Sequence, residues 1–149
     1  MLANYEINSN TLALIPIGPT TTKVLEKEET FLVNKTTNEI IDDSCKYFGS
    51  SYMGRHEGTK HLIGINYKAP IIVEESNYMI FFPTSSPRIS RCAWIALNHV
   101  ENHVSHQNNS ILYFHGGKNV ELNISPGSLE NQILRATKLE STLRKRKMS

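Results

Sequence analysis

The chain has 149 residues, of which 39% are hydrophobic and 20% are charged, proportions that fit one globular domain and exclude global disorder. No apolar stretch approaches the roughly 18–20 residues that a membrane span needs. The formal net charge of +2 conceals an asymmetry, because residues 1–43 carry a net charge of −4 and the remaining 106 residues a net charge of +6. This asymmetry favours a polyanion-facing surface on one side, although a net charge of this size is also compatible with ordinary solubility.

The first forty residues alternate between short β-prone runs and polar turns. Gly18-Pro19 and several charged turns separate the runs, which is the pattern of successive short antiparallel strands. We predict four strands here, over Asn4–Asn8, Thr11–Pro16, Thr22–Glu26 and Thr30–Asn34.

The elements predicted for the middle of the chain are less regular. Asn38–Ile41 is compatible with a fifth strand or with a turn. Asp42-Asp43-Ser44 offers a helix N-cap for a short helical turn over Cys45–Phe48, which Gly49 ends. Ser51–Gly64 gives mixed signals, because side chains at helical spacing are interrupted by glycines.

The second half is predicted to contain mostly strands. Apolar strands over Ala69–Val73 and Tyr78–Phe82 precede a proline- and serine-rich loop and then one long strand, Cys92–Val104. Two further runs, Ile111–Phe114 and Val120–Ile124, flank a Gly-Gly pair. This pair suits a two-residue type I′ hairpin turn.

The last element is predicted to be an amphipathic helix. Ser125-Pro126 supplies a capping hydroxyl and a proline at the first helical position, and apolar residues then recur at three- and four-residue steps to Leu143 or beyond. The predicted fold class is therefore α+β: a mostly antiparallel β-sheet with a central Gly-rich helical or loop insertion and a C-terminal amphipathic helix. We expect a single domain over residues 1–149, in which residues 125–147 form the C-terminal helix and a basic tail.

The cysteines and the N-terminus indicate the compartment. Cys45 and Cys92 are the only cysteines and form no CxxC pair, and the N-terminus lacks the pattern of a signal peptide. We expect a cytoplasmic protein with no membrane association, and a disulfide between the two cysteines is the less favoured alternative.

The segment Ser44–Thr59, SCKYFGSSYMGRHEGT, concentrates residue types that bind phosphate. Glycines allow close approach of the backbone, hydroxyls are neutral donors, and basic side chains form ion pairs. No Walker loop is present, because GxxxxGK[ST] does not occur. Composition alone slightly favours a Gly-rich connection with incidental polar residues. The candidate DNA-binding residues are Ser50, Ser51, Tyr52 and Arg55 of this segment and Lys60 immediately after it.

A second candidate region is Pro83–Trp94, PTSSPRISRCAW. Arg88 and Arg91 lie in or just beyond a Pro/Ser loop, and a loop that carries arginine can enter the narrow, electronegative minor groove of A·T-rich DNA. Trp94 is interpreted as a core anchor rather than as a platform for base stacking.

Enzymatic and metal-binding functions are not favoured. A GxSxG motif is absent, and no spacing indicates a carboxylate–histidine pair. His99 and His103 would lie about 13 Å apart on the predicted strand, too far to share a metal. We predict no catalytic residues, no metal and no cofactor.

Several blocks occur together in one order along nearly the whole chain: Asp43–Thr59, Lys68–Val73, Phe81–Thr84, Arg88–Val100 and Ser128–Thr137. In these blocks the sequence closely resembles the competence transcription factor family, ComK. The joint match is specific, since long strings that contain cysteine and tryptophan seldom recur by chance. The resemblance is weakest in the first forty residues.

The resemblance implies a cytoplasmic transcriptional activator of DNA-uptake genes. It implies binding to paired A·T-rich boxes in double-stranded promoter DNA, mainly through the minor groove and DNA shape. It further implies a homo-oligomer, either dimer or tetramer, with RNA polymerase and a Clp-protease adaptor as further partners.

The C-terminus departs from the family pattern. This chain ends in RKRKMS soon after the amphipathic helix, whereas the resemblance implies some tens of further residues associated with activation, assembly and proteolytic control. We therefore also consider a truncated relative that acts as a protein–protein module or antagonist without activation activity. A lineage-specific replacement of the terminus is the other alternative.

Overall fold

The computed structural model describes residues 1–89 and 91–148, so Ser90 of the second candidate region and the terminal Ser149 lie outside the described residues. The described residues form strands and three α-helices, which confirms the α+β class. The strands are β1 (Thr11–Pro16), β2 (Thr22–Glu26), β3 (Thr30–Val33), β4 (Ile71–Glu74), β5 (Met79–Pro83), β6 (Trp94–Ala96), β7 (Val100–His106), β8 (Asn109–Phe114) and β9 (Asn119–Leu122). The helices are α1 (Thr37–Tyr47), α2 (Tyr52–Ile63) and α3 (Pro126–Met148).

The larger sheet has the strand order β3-β2-β1-β6-β5-β4, with antiparallel neighbours throughout. Its strands bury both faces, because successive side chains point to opposite sides. Ile80 and Phe82 of β5 pack with apolar residues of α3, whereas Phe81 packs with those of α1. Helix α2 lies along the β4 edge, with Tyr52 packed against the α1 side and Ile63 against the α3 side. Contacts with the larger sheet therefore position all three helices.

The prediction for the chain between Asn38 and Ser44 is wrong. These residues belong to α1, whose N-cap is Thr36 rather than Asp42, Asp43 or Ser44. The Thr36 hydroxyl accepts from the Glu39 N–H, and the Glu39 carboxylate accepts from the Thr36 N–H, which is a complete capping box. Burial of Ile40, Ile41 and Cys45 at helical spacing outweighs the β propensity of the two isoleucines.

Two other strand predictions are also corrected. Asn4–Asn8 is not a strand: Tyr5 and Ile7 are buried there, but the Ile7 N–H donates to the Ser44 hydroxyl at 3.0 Å instead of to a neighbouring strand. The predicted long strand Cys92–Val104 is divided by a short 3-10 helix, Leu97–His99, after which β7 leaves the larger sheet. The break carries the chain into a second sheet of order β7-β8-β9.

The remaining predictions differ in detail. The mixed signals of Ser51–Gly64 resolve as helix α2, which begins after the N-cap Ser51 and ends at Gly64 with φ +72°. The β8–β9 connection has positive φ at Gly116 and Gly117, but Phe114 and Lys118 close it by a hydrogen bond, so the loop has three residues rather than two. Both cysteines are free and buried.

The C-terminal helix is confirmed. The buried residues of α3 follow three- and four-residue steps and are Leu129, Gln132, Ala136, Leu139 and Leu143. Gln132 is the polar member of this buried stripe, and its side-chain amide donates to the carbonyls of Lys68 and Pro83 at 3.0 and 2.7 Å. The helix is thereby tied to the loop before β4 and to the end of β5.

Candidate nucleic-acid interface

The candidate residues of the central segment lie at the start of α2 and along it. Ser51 is the N-cap, and its hydroxyl accepts the Gly54 N–H at 2.9 Å. Ser50 is half-buried just before it, whereas Lys60 is exposed in the last turn. One hydroxyl is thus already engaged in capping, and Lys60 is the most accessible cation of the five residues.

Tyr52 joins α2 to the core. Its ring packs edge-on against Trp94, with the centroids 6.1 Å apart, and burial raises the pKa of its hydroxyl. Trp94 is fully buried, and its Nε1–H donates to Asn38 Oδ1 at 3.0 Å, so the prediction of a core anchor is confirmed. The Asn38 amide also donates to the carbonyl of Pro87. This chain of contacts holds the residue before Arg88 against α1.

Arg55 faces the body of the protein more than solvent. It is half-buried, and its Nε–H is buried with no hydrogen-bond acceptor among the residues that the structure describes. Its positive charge acts on the nearby Cys45 thiol. Burial nevertheless dominates there and raises the pKa of Cys45 to about 12. This position suits a residue that braces α2 against α1.

Arg88 and Tyr52 line one cleft with a volume of about 780 Å³. Arg88 is exposed, and Met53 and Tyr67 add exposed apolar surface to the same cleft. The cleft also contains Asp42. This carboxylate accepts the Tyr52 N–H at 2.9 Å and pairs with Lys46 at 2.9 Å, and these contacts hold its pKa below the usual range.

Arg91 does not join Arg88. It is exposed and lines a different cleft, formed with Ser85, Asn123 and the turn after β1. The two arginines are three positions apart in the sequence, yet they line different clefts.

A third cleft connects the other two, and sequence reasoning did not find it. It shares Lys68 with the Arg88 cleft and Ser85 and Asn123 with the Arg91 cleft. Its described lining contains hydroxyls, amides and cations but no Asp or Glu, and includes Lys68, Thr84, Ser85, Asn123, Ser125 and Arg135. We name this surface, from Arg88 through the third cleft to Arg91, the basic face.

Arg135 organises the middle of the basic face. Its guanidinium donates to Gln132 Oε1 at 2.7 Å and to the carbonyl of Tyr67, and burial lowers its pKa. Lys68 adopts φ +49°, a left-handed conformation that is uncommon for a residue other than glycine. Tyr67 and Lys68 are 60 or more positions away from Gln132 and Arg135 in the sequence, so no local motif predicts that they lie close together.

The histidines are separated. His99 Nε2 lies 2.8 Å from the carbonyl of Ser9, and His103 Nε2 lies 2.8 Å from Glu130 Oε2. Within residues 1–89 and 91–148, no group of three or more His, Cys, Asp or Glu side chains is placed to hold a metal. No helix in the same ranges combines the length and the hydropathy needed to cross a bilayer.

The fold and its basic face define a small α+β protein with a surface suited to a polyanion. The model of the ComK protein family matches residues 2–148. The chain is 38% identical, over 149 aligned residues, to the competence transcription factor of Bacillus subtilis (strain 168), and the match covers 97% of this chain and 78% of that protein. The chain therefore belongs to the ComK family and is a ComK-type transcriptional regulator, which confirms the resemblance found in its sequence. No solved structure matches the chain.

Proposed function

We propose that this chain is a transcriptional activator of competence genes that binds A·T-rich promoter boxes, largely through the minor groove. The observation that carries the proposal is the basic face, where Arg88 and Arg91 flank a cleft whose described lining has no carboxylate. Hydroxyls, amides and cations are the groups that contact phosphate oxygens, and the carboxylates of the two flanking clefts, Glu39, Asp42 and Glu121, lie outside this central cleft. Membership of a family of transcription factors supports the same reading and a role without catalysis.

The proposed roles differ among the seven residues. Arg88, Arg91 and Lys60 are exposed and supply charge to phosphates or to the minor groove. Ser50, Ser51 and Tyr52 lie where α2 begins and support that contact with hydroxyl donors, while Arg55 positions the helix. Residues 1–149 act as one DNA-binding domain, and paired boxes call for a homo-oligomer.

Fluorescence anisotropy with a duplex that carries two A·T-rich boxes tests the proposal. We expect the double variant Arg88→Ala/Arg91→Ala to lose at least about tenfold in affinity at roughly 0.1 M salt, because two cationic contacts are removed. The matched control is Lys27→Ala, which removes one exposed cation from the acidic first third of the chain. Wild-type affinity in the double variant, or no binding by the wild type, would contradict the proposal.

Activation needs a separate test. A competence-promoter reporter in cells with this chain as the sole family member should be induced, and the Arg88→Ala/Arg91→Ala variant should not induce it. Binding without induction would leave DNA recognition in place and favour a non-activating antagonist.

A further inference from the structure

The β7–β8 hairpin forms a polar arm at the N-terminal end of α3. Ser110 is buried on β8, and its hydroxyl donates to the carbonyl of Ile124, two residues before α3 begins, at 2.9 Å. Beyond Ser110 the hairpin continues for two to three residues, about 7–10 Å at the usual rise of a strand. Residues 104–108 are all exposed. The tip of the arm, Ser105–Asn109, therefore projects from the same end of α3 at which Ser125 lines the basic face.

The chemistry of the arm is that of base-edge recognition rather than of phosphate binding. From residue 102 to residue 120 the sequence contains no Asp or Glu, so the arm can approach DNA without repulsion. The tip presents His106, Gln107 and Asn108, which are exposed donors without a permanent charge. Two carboxylates at its base are already engaged: Glu121 accepts from the Asn109 amide at 3.2 Å, and Glu130 Oε2 lies 2.8 Å from His103 Nε2.

The conformation of the tip is strained at one residue. His106 pairs with Asn109, so Gln107 and Asn108 alone form the loop, and Gln107 adopts φ +57°. Hairpins strongly favour glycine or asparagine at such a position, because a side chain raises the energy of a left-handed backbone. A glutamine in such a strained, exposed position points to a use for its side chain outside the fold.

We propose that the arm tip enters the minor groove of an A·T-rich duplex and that the side-chain amides of Gln107 and Asn108 donate to adenine N3 and thymine O2. A·T pairs show only acceptors in the minor groove, and its width of about 6 Å admits a two-residue turn but not the whole two-stranded ribbon. In this arrangement the basic face holds the phosphates and the arm reads the bases. The inference rests on the proposed function, because it names the element that gives that function its sequence preference.

The test compares Gln107→Gly and Asn108→Ala with the wild type on a box duplex and on a duplex of equal length with G·C pairs in the boxes. Each variant should bind the box duplex about five- to tenfold more weakly, with an unchanged affinity for the G·C duplex and an unchanged salt dependence. Gln107→Gly relieves the positive φ, so its melting temperature should equal or exceed that of the wild type. Asn119→Ala, an exposed asparagine at the opposite end of the same sheet, is the matched control and should bind like the wild type.

The outcomes separate the two proposals. If the wild type does not prefer the box duplex, the proposed function fails. If it does prefer that duplex and both tip variants keep the wild-type preference, only the role of the arm is overturned. Boxes made of inosine·cytosine pairs have an A·T-like minor groove and a G·C-like major groove, so retained wild-type affinity there supports minor-groove reading and a loss overturns it.

Discussion

Two thiols lie in the core beneath α2, and their burial controls their reactivity. Burial raises the pKa of Cys45 to about 12 and that of Cys92 to about 11, so both stay protonated at neutral pH. Because the thiolate is the reactive form, we expect neither cysteine of the native protein to react with a disulfide reagent at pH 8 within minutes. Two thiols should react once urea unfolds the chain. Rapid reaction of either thiol in native buffer would show that this part of the core opens.

Asp42 connects α1 to the first residue of α2, and its stabilising effect should depend on pH. The Tyr52 N–H, and then Lys46, hold the pKa of its carboxyl below the usual value. A carboxyl with a lower pKa in the folded state stabilises the fold above its unfolded pKa of about 4, and this contribution is lost as the pH falls through the folded-state pKa.

The variant Asp42→Asn tests this contribution. Since the side chain is partly exposed, we expect the free energy of unfolding at pH 7 to fall by only about 1 kcal/mol. The difference from the wild type should vanish in acid, below the folded-state pKa. Urea denaturation at both pH values measures it, and Glu28→Gln, in the exposed β2–β3 turn, is the control. An equal loss at both pH values would mean that the charge of Asp42 contributes nothing.

At the scale of single residues, the sequence predicted the chemical character of the candidate binding residues better than their positions in the fold. The hydroxyls and cations at the start of α2 were predicted as one group, yet Ser51 is occupied as an N-cap and Arg55 is half-buried. Lys68 and Arg135 were missed because they meet only when the loop before β4 packs against α3. Such proximity between distant segments has no local pattern in a sequence.

At the scale of elements, substitutions of Gly58, inside α2, and of Gly64, at its end, should have opposite effects on stability. Gly58 lies inside the helix, and a Cβ there would meet no atom within 4 Å, so Gly58→Ala should stabilise the protein by about 1 kcal/mol through helix propensity. Gly64 caps the helix at φ +72°, so Gly64→Ala should destabilise it by about 1 kcal/mol. Thermal denaturation of both variants measures the contrast. Shifts of the same sign would contradict the assigned end of α2.

Strands and helices were predictable where their periodicity is regular, as in β1, β2 and α3. The prediction failed for α1, where adjacent isoleucines suggested a strand, although Thr36 and Glu39 had the spacing of a capping box. It also failed at Leu97–His99, where the chain moves between sheets. A continuous β-prone run does not reveal such a break, because the break depends on the sheet that receives the next strand.

At the scale of the whole molecule, the charge asymmetry predicts how DNA affinity depends on salt. Arg55 positions α2, and the Arg135 guanidinium already donates to Gln132 and Tyr67. The other four cations on α2 or on the basic face are Lys60, Lys68, Arg88 and Arg91, whereas the acidic excess lies in residues 1–43. If each cation neutralises one phosphate, the logarithm of the binding constant should fall against the logarithm of salt concentration with a slope of about −3 to −4 per bound chain.

Single variants show how much each cation contributes to this slope. Arg91→Ala should reduce its magnitude by about 0.9, because one fewer counterion is released, whereas Lys27→Ala in the acidic third should leave it unchanged. Titrations at four or more salt concentrations, analysed per protomer, measure both values. A slope near zero, or an equal effect of the two variants, would mean that DNA does not bind at the basic face. If Arg91→Ala reduces the slope but keeps the preference for A·T boxes, phosphate binding lies on the basic face and base reading lies elsewhere. This is the result expected if the two tasks belong to different elements of the fold.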